Sequence, residues 1–283
     1  RIMCNQKVES LVVEGEKIKG VKTADKVYEA SKVIIATGGK SYPATGSTGE
    51  GYSLAKEVGH SVVLPKPALV PLVTKEVIPS KLVDLTLKNT RATLWINDIK
   101  EADEFGELIF AEYGLNGPII LTLSRKAVEA LNHNKKVEIT LDLKPALDDQ
   151  KLDKRLLRDL DENGKKNIVN VIKSWLPSQL VDYFISLSGI EQTKQCHQIS
   201  AKERKEFRKL LKQMRFVVQG NRPFTEAIVT AGGIPVTEIN AKTMESKLIH
   251  GLYFAGEVID VDADTGGYNL QIAWSTGWLA GKS

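Results

Sequence analysis

The last stretch of this chain is an apolar run, an acidic turn, a glycine pair and a helix, and that order leaves those residues few ways to fold. Leu252-Tyr253-Phe254-Ala255 has the length and bulk of a buried strand and stops at Gly256-Glu257. An irregular acidic segment with Asp260, Asp262 and Asp264 follows. Thr265-Gly266-Gly267 then opens a helix in which Leu270, Ala273, Trp274, Trp278 and Leu279 recur at helical spacing. The glycines leave room for a ligand against the backbone, and the helix start offers unpaired N–H groups and partial positive charge to an electron-rich group. Glu257, at the strand end, can accept hydrogen bonds from sugar or polyol hydroxyls. The plain alternative is a buried strand and helix joined by a glycine loop that holds nothing.

A second unit of the same kind lies near the start. Ser31-Lys32-Val33-Ile34-Ile35-Ala36 reads as an apolar strand running into Thr37-Gly38-Gly39. Lys40 to Thr48 is a polar, glycine-containing loop, and Gly49 to Val58 is a helix with Tyr52, Leu54, Ala55 and Val58 inward, ended by Gly59. A glycine and hydroxyl loop before a helix suits an anion, and it equally suits a plain N-cap.

These two stretches, VIIATGGKSYPATGSTGEGYSLAKEVGH at 33–60 and GLYFAGEVIDVDADTGGYNLQIAWSTGWLAG at 251–281, resemble the HI0933-like (BaiN-type) family of flavoproteins in wording and in order. That family is a branch of the two-dinucleotide-binding-domain oxidoreductases. The resemblance implies an α/β chain (α+β overall): a partial FAD-binding two-dinucleotide-binding-domain fold with an inserted β-rich domain and a small helical domain. It implies FAD as cofactor. The contacts it implies are Val8 by the adenine; Thr37, Gly38, Gly39, Ser41, Gly46, Ser47, Thr48 and Gly49 from the first stretch; and Gly256, Glu257, Asp260, Thr265, Gly266, Gly267, Tyr268, Asn269 and Gln271 from the last. Catalytic residues stay unassigned. Glu112-Tyr113-Gly114-Leu115-Asn116-Gly117-Pro118 resembles the turn near the family's active site, where many relatives carry a histidine, and here Tyr113 stands instead.

Flavoproteins of this kind begin with a GxGxxG-type turn that holds the FAD pyrophosphate. The glycines at 38–39, 46–51 and 232–233 lack its spacing or position, and the chain opens Arg1-Ile2-Met3-Cys4, so it is expected to be an N-terminally truncated piece that is inactive by itself and does not retain FAD. The expected whole-protein activity is FAD-dependent oxidation of a small amine, aminoacetone oxidase-like, with hydride transfer to flavin. The alternatives are reduction of activated C=C bonds with NAD(P)H and a non-catalytic nucleotide-binding protein.

Between the two stretches the chain changes character. Residues 7–13, 20–23 and 26–30 alternate as a three-stranded meander. Pro65, Pro67 and Pro71 make a stiff crossing. Leu82 to Ile99, Phe105 to Phe110 and Lys136 to Leu143 read as strands, Glu112 to Gly117 as a loop and Pro118 to Leu131 as a helix. Asp148 to Lys212 is rich in Lys, Asp, Glu and Leu at helical spacing. The expected division is 1–68 and 246–283 for the FAD-binding domain, 69–147 and 213–245 for the β-rich substrate domain, and 148–212 for the helical insertion.

The 283 residues carry a net charge of +4 spread over many lysines and glutamates, which gives no electrostatic case for nucleic acid as a partner, and no apolar run is long enough to span a membrane. The expected partners are a small-molecule substrate and NAD(P)H. Cys4 and Cys196, far apart and without a CxxC pair, suit a reducing cytoplasm. His60, His133, His197 and His250 are scattered without metal-ligand spacing, and His60, just past a helix end, is expected to be structural.

Overall fold

Alternating side chains near the start form an antiparallel meander of β1 (Val8–Glu14), β2 (Lys17–Thr23) and β3 (Val27–Glu29). The computed structural model describes residues 1–283, which divide into unit 1, Arg1–Val70 with Arg222–Ser283, and unit 2, Pro71–Asn221. After the meander come β4 (Val33–Ile35), α1 (Glu50–Glu57) and β5 (Val63–Ala68). Strand β4 is shorter than its apolar run suggests: pairing stops at Ile35, and the next residues turn away into the glycine loop. Pro65 and Pro67 sit inside β5, which is tolerated because its sheet has only two strands and so leaves it an edge.

In unit 2 the chain forms β6 (Leu72–Thr74), β7 (Thr86–Ile96), β8 (Ile99–Ala111) and β9 (Gly114–Asn116), then α2 (Pro118–Asn132) and β10 (Val137–Asp142). Four helices follow, α3 (Asp149–Glu162), α4 (Ile168–Ile172), α5 (Ser178–Ser188) and α6 (Ala201–Lys212), before β11 (Met214–Asn221). The six strands close into a barrel in the order β7, β8, β9, β6, β11, β10. Strand β7 starts only at Thr86 because Asp84 takes φ 66°, and it ends at a two-residue hairpin turn, Asn97 and Asp98, with φ 49° and 65°. Glu112 to Gly117, expected as a loop, contains β9. Its three residues are too few to show alternation, and Gly114 (φ 145°) lets that backbone close on Leu72 and Thr74 of β6.

Helix α2 contacts β7 through β11 and buries Ile119, Ile120, Leu123 and Ala127. The helical segment leaves after β10 and returns in β11, its antiparallel neighbour, as an insertion must. It has no core of its own. Leu152, Leu156, Trp175, Phe184 and Phe207 share one cluster with Phe110, Ile139 and Phe216 of the barrel.

The chain completes unit 1 with β12 (Val229–Gly233), β13 (Leu252–Phe254) and α7 (Tyr268–Lys282). Strand β12 pairs antiparallel with β5, and β13 pairs parallel with β4. Ile18, Ile35, Tyr52, Leu252, Phe254 and Val258 form the centre of this unit's core. Helix α7 is apolar yet buries only Ala280, leaving Trp274 66% and Trp278 62% exposed.

His60 is structural, as its position past α1 suggests. Its side chain is fully buried, with Nδ1 2.8 Å from Glu238 Oε2, Nε2 2.8 Å from Ser246 Oγ and the ring edge-on to Phe254. His60→Ala would leave a carboxylate and a hydroxyl without their partner beside a new cavity. We expect a loss of roughly 2–4 kcal/mol, measured by urea unfolding; an unchanged midpoint would show that the network adds no stability.

Candidate functional site

Two glycine segments leave the same ends of two paired parallel strands. Thr37-Gly38-Gly39 follows β4 and Gly256-Glu257 follows β13, which is where open α/β sheets place ligands. Adjacency brings the segments into contact. A Cβ on Gly39 would lie 2.4 Å from Glu257 Oε1 and 2.4 Å from Thr230 Oγ1, so only glycine fits there. Thr230 is the hub: its N–H donates to Glu257 Oε1 at 2.9 Å, while its hydroxyl accepts from the N–H groups of Lys40 (2.8 Å) and Ser41 (3.1 Å) and bonds Ser41 Oγ (3.0 Å).

A cavity of about 490 Å³ opens in unit 1 beside Glu257. Its walls are mostly apolar, including Leu69, Ile228, Val229, Val261, Leu270 and Ala273, and its rim holds Thr265, Gly266, Gly267 and Asn269. This is the usual make-up of a small-molecule site, apolar with a few aimed polar groups. Leu69 takes φ 50°, a conformation costly for a residue with a Cβ, and its carbonyl accepts the Ile228 N–H at 3.1 Å. Gly266 (φ 120°) and Gly267 (φ 88°) turn the chain into α7 without any side-chain cap, so the first N–H groups of the helix stay open to a ligand.

Two carboxylates line the cavity, the exposed Asp264 and the half-buried Glu257. One oxygen of Glu257 is held by Thr230 and the other takes no hydrogen bond from the protein. Burial pushes its pKa up, the Thr230 hydrogen bonds oppose this, and the charge of Asp262 adds to the rise. Asp260 is raised too, by burial and then by Asp262.

The structure places the expected contacts differently. Glu257, Thr265, Gly266, Gly267 and Asn269 line the cavity. Gly39 and Ser41 lie against Thr230, which holds Glu257 from outside the lining, Gly38 lies against Ser47 Oγ, and the Thr37 side chain packs on Gly51. Gly256 donates its N–H to Thr276 Oγ1, and Asp260 lies beside Gly232. Asn269 has both ends of its amide on Ala263, so it fixes the acidic loop. Gln271 bonds Ser275 on an exposed face, Tyr268 is exposed, and Val8 packs on the core at the start of β1. Gly46 and Gly49 (φ 103° and 85°) bracket Ser47 and Thr48 in the loop before α1, outside the cavity lining. Thr230, Leu69 and Ile228 were missed. Tyr113 belongs to unit 2, in the turn between β8 and β9, where its carbonyl accepts the Thr74 N–H.

The model of the HI0933-like protein Rossmann domain matches residues 1–283. The chain belongs to the HI0933-like family. The chain is similar to a 3-dehydro-bile acid delta(4,6)-reductase of Clostridium scindens, 30% identical over 256 residues that cover 90% of this chain and 62% of that protein. It is also similar to ribosomal RNA dihydrouridine synthases of Haemophilus influenzae (30% over 257 residues, 90% of this chain, 61% of that one) and Escherichia coli (30% over 252, 89% and 60%). The chain therefore spans about three fifths of the length of the curated relatives it matches.

This is a flavoprotein family, and the residues present fit the ring and polyol end of FAD. An apolar slot suits a flat heterocycle, open helix N–H groups suit its electron-rich edge, and the free oxygen of Glu257 suits a hydroxyl. No helix of the chain is long and apolar enough to cross a membrane.

The raised pKa of Glu257 has a consequence for stability. Folding favours its neutral form, so its contribution is fully present below the ordinary value of 4.5 and is lost as pH rises through the raised one. Glu257→Gln, which stays neutral, should match the wild type below pH 4.5 and become the more stable of the two above it. Thermal unfolding across pH checks this; a difference that does not vary with pH refutes it.

Proposed function

We propose that the whole protein is an FAD-dependent reductase of C=C bonds conjugated to a carbonyl. The names of the relatives carry this reading. A 3-oxo steroid with 4,6 double bonds and the uracil ring both present a C=C whose far carbon accepts hydride, because the negative charge that develops is taken by the carbonyl oxygen. One chemistry serves both. Between the activities that the sequence resemblance implied, this favours C=C reduction over oxidation of a small amine, and it leaves an organic enone and the uracil of RNA as the two substrate classes. A bound flavin would supply the hydride to the far carbon, solvent would supply the proton that the near carbon takes up, and NAD(P)H would recharge the flavin.

The tasks left to this chain are binding, orientation and exclusion of water. Leu69, Ile228, Val229 and Ala273 would exclude water from one side of the ring. The open N–H groups at the start of α7 would stabilise negative charge on the reduced cofactor. Glu257 would fix a cofactor hydroxyl through the oxygen that Thr230 leaves free.

Two outcomes follow. In flavin-loaded protein, Glu257→Ala should weaken FAD binding by roughly 1–3 kcal/mol, read by titrating apoprotein, and an unchanged dissociation constant removes Glu257 from the site. The same loaded protein under nitrogen should oxidise NAD(P)H in the presence of a conjugated ketone or a uracil-containing RNA; turnover of aminoacetone with oxygen, without either of these, overturns the reductase reading. Residues 1–283 supply no GxGxxG-type turn for a pyrophosphate. We therefore expect this chain to bind FAD no more tightly than flavin mononucleotide, and a clear preference for FAD in fluorescence titration contradicts that expectation.

A further inference from the structure

Averaged over the chain, a charge of +4 argues nothing about partners, but the charge is not evenly placed. Unit 2 holds 25 Lys and Arg against 21 Asp and Glu, and unit 1 holds 14 of each, so the whole excess lies in unit 2. Within that unit a cavity of about 720 Å³ is lined by Lys88, Arg91, Lys144 and Arg155 together with Asn89 and Phe105, and no Asp or Glu faces it. An adjoining cavity of about 310 Å³ shares Lys88 and Lys144 and continues past Thr86 and Thr90 to Trp175 and Pro177. The two cavities meet at Lys88, Leu143 and Lys144 and so form one groove.

Local structure aims these groups. The register of β7 against β8 jumps between Leu87 and Thr90, so Lys88 and Asn89 bulge from the ladder, with Asn89 at φ 53°. Bulges redirect side chains in this way. The cations are also poorly neutralised. Arg91 pairs with Asp103, but Arg155 is 3.6 Å from Asp159, which Arg158 and Trp175 also engage, and Lys88 is 3.9 Å from Glu107. Lys144 has no acidic partner: Asp142 accepts the Lys144 backbone N–H and pairs its other oxygen with Lys212. Burial pushes the Lys144 pKa down, and the neighbouring charge of Arg155 pushes it further. A half-buried ammonium beside a guanidinium without a counter-charge is costly, and an anion placed between them removes the cost. Beside them Phe105 keeps 54% of its surface exposed, an aromatic face next to cations, as single-strand sites use for stacking bases.

We propose that this groove binds the phosphodiester backbone of single-stranded RNA, with Lys88, Lys144 and Arg155 meeting phosphates and Phe105 stacking on a base. Its role rests on the reductase reading, for which it selects RNA over a free enone as the substrate. Its test does not, because the groove lies within unit 2 and needs no flavin.

Fluorescence anisotropy of the 283-residue chain with a labelled oligouridylate reads the binding. Wild type should bind with a Kd that weakens steeply with salt, and Lys88→Gln and Arg155→Gln should each lower the slope of log Kd against log salt by about 0.7. Phe105→Ala should weaken binding on the order of 10-fold with the slope kept, the loss expected for one stacked base. Lys144→Glu should weaken binding further. Should that variant fail to fold by circular dichroism, the exposed Lys88 and Arg155 variants still decide. No binding by the wild type, or slopes and Kd values unchanged in these variants, overturns the proposal. Displacement by uridine monophosphate at equal phosphate concentration overturns it as well, by assigning the groove to a free nucleotide. Binding of anionic lipid vesicles that outcompetes the oligonucleotide does so by assigning it to a membrane surface.

Discussion

The hydrogen bond from Thr230 N–H to Glu257 Oε1 holds three distant segments of unit 1 in one place. Each segment alone is weakly determined: a loop after β4, the second residue of β12 and a turn after β13. The Thr230 hydroxyl captures the first through Lys40 and Ser41, its backbone captures the third, and Gly39 lets them meet by having no side chain. The carboxylate is thereby fixed with one oxygen engaged and one open. A freely rotating glutamate would cover the same cavity with less direction, since ordering it on binding would cost side-chain entropy.

Parts of this were legible in the sequence. The Gly266-Gly267 turn into α7 and the strand before Glu257 follow from bulk, periodicity and glycine placement, all local signals. The meander and the hairpin-rich middle show through period-two alternation. Thr230 was not legible, because a threonine between valine and alanine in a short strand looks like any strand residue. Its importance comes from where β12 lies, which is a long-range fact. Leu69 was invisible for a similar reason: its left-handed backbone is imposed by surroundings, against its own preference. The helical insertion was readable as helices, but its union with the barrel core was not, since Leu152 or Phe207 at helical spacing does not say which face it meets.

Charge shows the same limit at a larger scale. The whole-chain charge of +4 is a sum, and the fold decides which terms share a surface. Lys88, Lys144 and Arg155 are separated by 56 and 11 positions, with no basic run to signal them. The bulge in β7 and the exit of the chain from β10 bring them to one groove, while Asp142, the carboxylate beside Lys144, is paired with Lys212.

A serine, a histidine and a glutamate in hydrogen-bonded series, as Ser246, His60 and Glu238 stand, would suggest a hydrolase if distance were the only test. Chemistry decides otherwise. A nucleophilic hydroxyl must face a substrate and keep its lone pairs free, with donors aimed at a developing oxyanion beyond it. Ser246 is buried, and its oxygen accepts the N–H groups of Leu248 (3.0 Å) and Ile249 (2.8 Å) as well as facing His60. Those N–H groups are the donors that an oxyanion would need, and they are already bonded to the supposed nucleophile. The series therefore ties the turn before β13 to the end of α1, and by anchoring that turn it helps to set where β13 begins, three residues ahead of the loop that carries Glu257.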